Sequence, residues 1–217
     1  MRKKLYLGFV FVLAFIIWTI MVYIVDVQTI GPKESSVGFA TINNFVHQNF
    51  GVNMTLYHIT DWMGIIPIAF MFGFAILGLF QWIKRKKLSL VDKNLFVLGG
   101  FYIVVLMVYI LFEFVVINRR PVLIEGVLEA SYPSSTTMLV MTVMPTTIMQ
   151  LNSIIKNNKL KNCINILICI FIVFMVTGRL VSGVHWISDI VGGALISIGL
   201  VLLYNYFVKV KTKKRCN

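Results

Sequence analysis

Charge is what this sequence has least of. Only 13% of its 217 residues are Asp, Glu, Lys or Arg, against about 25% in soluble domains. Acidic residues are the scarcer kind, eight against twenty basic ones. With 59% hydrophobic residues and a mean hydropathy of +0.88, a soluble domain of this length has too little interior to hide its apolar surface. That excludes the ordinary soluble classes and leaves an integral membrane protein. Cysteine is also scarce. Cys163 and Cys169 fall inside an apolar run and Cys216 in the C-terminal tail, and no C-x-x-C pair occurs. No extracellular disulfide, redox pair or zinc knuckle is expected; the three read as small apolar fillers and one tail thiol. There is no P-loop and no carboxylate cluster suited to Mg²⁺. No repeat or low-complexity linker divides the chain, so residues 1–217 read as one domain.

What is there is a series of apolar runs. Six spans of about 20 residues are expected at 5–25, 62–83, 95–117, 134–155, 162–182 and 186–208, giving an all-α, polytopic membrane protein built as a six-transmembrane-helix bundle. The first run follows a basic start but is long for a signal peptide and has no A-x-A-like cleavage site; it is read as a retained helix. The net charge of +12 follows this topology. Arg2, Lys3 and Lys4, then Lys84, Arg85, Lys86, Lys87 and Lys93, then Lys156, Lys159 and Lys161, then Lys209, Lys211, Lys213, Lys214 and Arg215 all fall on one side of alternating spans. Only Lys33, Arg119, Arg120 and Arg179 fall on the other. The positive-inside rule then places both termini in the cytoplasm. The basic surplus suits anionic headgroups rather than nucleic acid. Of the acidic residues only Asp92 lies in a cytoplasmic connection; Asp26, Glu34, Asp61, Glu113, Glu125, Glu129 and Asp189 lie outside or in the outer half.

The external connections carry the polar chemistry. In residues 26–61, Phe39, Ile42, Val46 and Phe50 recur every three to four positions, which predicts one or two amphipathic helices lying in the interface. Tyr57 and Trp62 are expected at headgroup depth, and His47 and His58 are read as interfacial polar residues. Residues 118–133 hold Arg119, Arg120 and Pro121 and end at Tyr132-Pro133. Ser134-Ser135-Thr136-Thr137 then opens a span with helix-start chemistry, and the free N–H groups of such a first turn form an anion site. The third connection runs from Gly178-Arg179 to His185 and Asp189. Ionisable residues at a bilayer edge mark function by default. Arginine offers a fork that fits phosphate, histidine attacks or carries protons near neutral pH, and an aspartate one helical turn on can hold its tautomer. Together, Arg120, Ser134, Arg179, His185 and Asp189 point to metal-free phosphoryl transfer through a phosphohistidine, with no cofactor.

In that spacing the chain resembles the type-2 phosphatidate phosphatase superfamily, the membrane acid-phosphatase-like lipid phosphatases. Its ordered motifs are K-x6-R-P, P-S-G-H and S-R-x5-H-x3-D. Arg179, His185 and Asp189 match the third, with Gly178 in place of its serine; Arg120-Pro121 half-matches the first and Pro133-Ser134 the second. The resemblance implies a lipid phosphatase with its site on the external face, His185 as nucleophile, Asp189 as its orienting partner, and Arg120, Ser134 and Arg179 holding the phosphate. Two departures stand out. Glu113 occupies the position of the family lysine, and Thr136 that of the histidine that protonates the leaving group. Ser135 and Thr136 are accessory positions. Arg119 either replaces the lysine's charge or sits at the headgroup surface.

Three readings of the missing acid stay open. A polyprenyl diphosphate needs no proton on its leaving phosphate, whose second pKa is about 6, and is slightly preferred over a phosphatidate. Glu113, Glu125, Glu129 or Tyr132 donates instead, although Glu113 is favoured as the salt-bridge partner of Arg119, Arg120 or Arg179. Or the protein is a catalytically weak relative that only binds lipid. A lipid phosphotransferase using the same site is a further alternative. The expected partners are a membrane lipid and the bilayer. The expected location is a bacterial plasma membrane with an extracytoplasmic site, although an internal membrane with a lumenal site reads the same way.

Overall fold

In the computed structural model, residues 2–213 are described, with side chains as far as residue 210. Lys214, Arg215 and Cys216 lie outside the described residues. Eight α-helices dominate. α1 (Arg2–Ile24) is followed by a short antiparallel hairpin, β1 (Gln28–Gly31) and β2 (Ser35–Val37), then α2 (Ala40–Phe50) and α3 (Met54–Met63). α4 (Ile65–Arg85), α5 (Lys93–Phe114), α6 (Ser135–Ile154), α7 (Asn158–Val181) and α8 (Ile187–Lys213) complete the bundle.

Five stretches among the described residues are long and apolar enough to cross a membrane: α1, α3 together with α4, α5, α7 and α8. α1, α4, α5 and α7 expose rows of large apolar side chains, such as Phe9, Leu13 and Ile16, or Ile166, Ile170 and Val173. In water such surfaces would aggregate; in hydrocarbon they cost nothing. α6, expected as a span, is long enough but less apolar. It buries Thr137, Thr142, Thr146, Thr147 and Gln150 and packs on α4, α5, α7 and α8. Its outer surface is protein rather than lipid. Thr142 and Thr146 hydroxyls return to the carbonyls one turn back, and Gln150 donates to Tyr204 at 2.6 Å.

α8 is the most enclosed of the five stretches and packs on α1, α2, α5, α6 and α7. The main core joins Phe15 and Val22 of α1, Leu98, Phe101 and Tyr102 of α5, Met138 and Val143 of α6, and Ile196 and Leu200 of α8. Cys163 and Cys169 are exposed on α7, so they face outward and fill no core gap.

Residues 26–61, where one or two amphipathic helices are expected, hold two helices, α2 and α3, and a hairpin that precedes them. The residue α2 buries completely is Asn43, while Ile42 and Phe50 are exposed. Tyr57 is buried and only Trp62 is widely exposed. The segment folds down onto the connection between α7 and α8: Asn53 N–H donates to the Ser182 carbonyl at 3.0 Å, and Gly183, at φ 67, turns where a Cβ would strike the Gly51 carbonyl.

Candidate active site

The connection from α7 to α8 presents Arg179, His185 and Asp189, all buried. A glycine pair brings the second motif to them. A Cβ on Gly192 would come within 2.6 Å of the Tyr132 ring, and one on Gly193 within 3.0 Å of the Ser134 carbonyl. α8 can therefore lie directly against residues 132–137, and Ser134 N–H donates to the Asp189 carbonyl at 3.0 Å. Ser134 is fully buried and caps α6, its hydroxyl accepting from Thr137 N–H. The first turn of α6 thus points its free N–H groups into the site.

The connection holding Arg120 is itself a hairpin, which the sequence reading did not anticipate. Arg120 N–H donates to the Glu129 carbonyl at 3.1 Å and Ser131 N–H to the Asn118 carbonyl at 3.0 Å, with the turn at Glu125 and Gly126, both at positive φ. Arg120 lies across from Glu129 in consequence, and Nε sits 2.9 Å from Oε2. Glu129, not Glu113, is the carboxylate paired with Arg120. Arg119 faces away from the site. Its guanidinium donates to the Leu128 carbonyl at 3.0 Å and its own carbonyl accepts from the Trp186 indole at 2.7 Å.

The two halves meet at His185. Arg120 Nη1 lies 3.2 Å from Nε2, and Asp189 Oδ2 lies 3.7 Å from Nδ1. An arginine can only donate, so this pairing places the ring proton on Nδ1 and leaves the Nε2 lone pair toward Arg120. Nδ1 itself has no hydrogen-bond partner among the described residues, the aspartate standing 3.7 Å away. Burial holds the His185 pKa well below the ordinary histidine value, with the positive charges of Arg120 and Arg179 adding to it. The ring is therefore neutral near pH 7, as a nucleophile must be.

Asp189 is fixed by neighbours the sequence reading missed. Oδ2 accepts from Trp186 N–H at 3.0 Å and Oδ1 from Asn118 Nδ2 at 3.3 Å. Asn118 Oδ1 in turn accepts from Gly38 N–H at 3.1 Å. Asn43 donates to the Gly38 carbonyl at 2.7 Å and the Ser188 hydroxyl at 2.9 Å and accepts from Ser188 N–H at 3.1 Å. Asn43, Asn118, Ser188 and Asp189 are all buried. Isolated asparagines in external connections give no periodic signal, so nothing in the sequence singled them out.

Arg179 sits under the site. Nη2 donates to Thr136 Oγ1 and to Asp61 Oδ1, each at 2.7 Å, and the guanidinium lies 4.9 Å over the Tyr57 ring. Nε and Nη1 are buried without a hydrogen-bond partner among the described residues, and Arg179 lines neither of the two cavities beside the site. Asp61 was noted in the sequence only as an outer-half acidic residue. His47 is half-buried against the Trp186 ring, 5.4 Å between centroids, and its pKa is lowered by burial. His58 is exposed beside the Tyr57 ring.

A polar cavity of about 320 Å³ is lined by Arg120, His185, Glu113, Glu129, Tyr132 and Ser135. An apolar groove of about 770 Å³ runs between α4 and α5 and ends at Asp61, Ser135 and Thr136. Tyr109, Ser135 and Met138 line both.

Residues 113–213 match the PAP2 superfamily. This bears out the resemblance read from the third motif. The PAP2 segment contains every residue placed in the site by sequence, and it excludes α1 to α4. A crystal structure of a transmembrane PAP2 type phosphatidylglycerolphosphate phosphatase from Bacillus subtilis is similar over 93% of this chain and 96% of that one, with a TM-score of 0.61 and 19% identity. At that identity the likeness is one of fold, and it extends to the whole bundle. No curated protein matches the chain in sequence.

Proposed function

We propose that the protein is an integral membrane lipid phosphatase, a single domain over 1–217 with α6 as its sixth span, both termini cytoplasmic and the site on the extracytoplasmic face. The observation that carries this reading is the junction of two unlike spaces. A cavity with a neutral histidine and an arginine meets an apolar groove at the first turn of α6. A phosphate joined to a hydrocarbon tail fits that junction, and a soluble phosphate ester has no use for the groove.

In this mechanism Arg120, the open donors of Arg179 and the N–H groups at the start of α6 hold the phosphate and spread its charge. Nε2 of His185 attacks phosphorus from the cavity. As the N–P bond forms, the imidazole becomes cationic, and Asp189 stabilises it through Nδ1–H. The 3.7 Å separation is of the loose kind that closes on substrate binding. The P–O bond to the lipid breaks, and water then hydrolyses the phosphohistidine. The charge stabilisation comes from arginines and helix N–H groups, so metal-independent turnover is expected in EDTA.

Two features favour a polyprenyl diphosphate over a phosphatidate. Thr136 stands where a protonating histidine is expected, and a leaving phosphate needs no proton. The groove is also long and single. It continues through Ala75 into a second apolar pocket of about 280 Å³ reaching Trp82 and Leu95. From Ile65 to Trp82 that is roughly 25 Å at 1.5 Å per residue, most of the hydrocarbon thickness of about 30 Å, and it suits one long chain. The test compares phosphate release from the two lipids at equal surface concentration. Faster turnover of the diphosphate is expected; a clear preference for phosphatidate defeats this substrate assignment.

A further inference from the structure

A carboxylate from outside the PAP2 segment pairs with Arg179 and lines a different cavity from His185. Asp61, on α3, shares Arg179 Nη2 with Thr136, each at 2.7 Å. Asp61 and Thr136 line the apolar groove and not the polar cavity; His185 lines the cavity and not the groove. The lipid's leaving oxygen is the atom between phosphorus and the tail, so it lies on the groove side. Glu113 and Glu129 line the cavity with His185 and are on the wrong side to reach it.

The packing that brings Asp61 there is specific. Gly178, which replaces the motif's serine, is where a Cβ would come within 2.7 Å of Thr60 Cγ2. A bare glycine lets α3 close on α7 at the turn that carries Asp61. Both departures of this chain at Arg179 meet that carboxylate: Gly178 admits the neighbouring Thr60, and Thr136 shares Nη2 with Asp61. The side chain is 57% exposed at the groove mouth, whereas the Arg179 side chain beneath it is buried.

We propose that Asp61 is the proton donor to the leaving oxygen when the substrate is a lipid monophosphate. The inference rests on His185 attacking phosphorus as described above. Phosphate on the open donors of Arg179 puts two anionic groups on one guanidinium, and a proton on Asp61 relieves their repulsion. As the His185–phosphorus bond forms and the bond from phosphorus to the alkyl oxygen breaks, the electron pair stays on that oxygen. The Asp61 carboxyl proton moves to it, releasing a neutral alcohol and leaving the Asp61 carboxylate. In the second step water enters from the same side, its oxygen bonds phosphorus, the N–P bond breaks and one water proton returns to Asp61. The cycle consumes one water and yields alcohol and phosphate. A diphosphate leaves as a phosphate monoester and needs no such proton.

Farnesyl monophosphate and farnesyl diphosphate share a tail and differ only in leaving group, so phosphate release from both by the full-length purified protein isolates the step. Asp61→Asn is expected to lower monophosphate turnover by about 10²–10⁴-fold while diphosphate turnover stays within a few-fold, and Thr136→His in that background is expected to restore part of the loss. Equal loss on both substrates overturns the proposal, because it makes Asp61 only a holder of Arg179; so does unchanged turnover of both. If Asp61→Asn does not fold, a series of phosphate monoesters on the wild type decides. Turnover nearly independent of leaving-group acidity is expected, and a steep dependence overturns it. The underlying reading fails separately, through retained release by His185→Ala.

Discussion

A histidine buried between two arginines is held neutral, and that has a cost that depends on pH. In the unfolded chain His185 titrates near 6.5; in the fold it stays unprotonated well below that. Below pH 6.5 the unfolded state therefore binds a proton that the folded state refuses, and stability falls as pH falls. His47, lowered by its own burial, acts in the same direction. Between pH 7 and pH 5 the melting temperature in detergent is expected to shift downward more in the wild type than in His185→Gln. An equal drop in that variant would assign the effect elsewhere. Asn118 gives a second prediction at this scale. Its amide joins Asp189 to the Gly38 backbone and touches no substrate, so it is a positioning residue. Asn118→Ala should lower kcat with little change in KM, by about 1–3 kcal/mol of lost hydrogen bonding, or roughly 5- to 150-fold. A change confined to KM would contradict that role. The sequence made His185, Asp189 and Arg179 legible, because charges at a bilayer edge are conspicuous. It left Asn43, Asn118 and Asp61 unread, because their meaning comes from partners 70 to 145 positions away.

At the scale of elements, the site depends on how closely two pairs of helices approach. Gly192 and Gly193 admit the start of α6 against α8, and Gly178 admits α3 against α7. Gly192→Ala forces a methyl into the Tyr132 ring, an overpacking cost of about 1–3 kcal/mol. It should move Ser134 and Ser135 away from Asp189. A lower melting temperature together with a loss of turnover larger than the loss of folded protein is expected; full specific activity would show that the approach is not needed. The helical spans of α1, α4, α5, α7 and α8 were readable from apolar length alone. α6 also reads as a span, at 134–155, yet its threonine-rich interior leaves it less apolar than the other five stretches, since a helix packed among other helices need not be apolar. The hairpin at 28–37 and the turn at Glu125-Gly126 were not readable, because both are short and set by contacts with the bundle.

For the whole molecule, the decisive feature is that lipid space and polar space meet at one helix turn. The groove runs between α4 and α5, and the cavity lies among Arg120, Glu129, Tyr132 and His185. Charge asymmetry in the sequence suggested which end of the bundle carries chemistry. Only the fold brings that end together with a tail-length groove, since α4 supplies no motif. The central claim is that a neutral His185 at this junction breaks a phosphorus–oxygen bond of a membrane lipid. The most direct measurement is phosphate release from a polyprenyl diphosphate in lipid vesicles, in EDTA, by wild type and His185→Ala. Release by the wild type and none above background by the variant is the expected result. Equal release by both proteins would contradict the account.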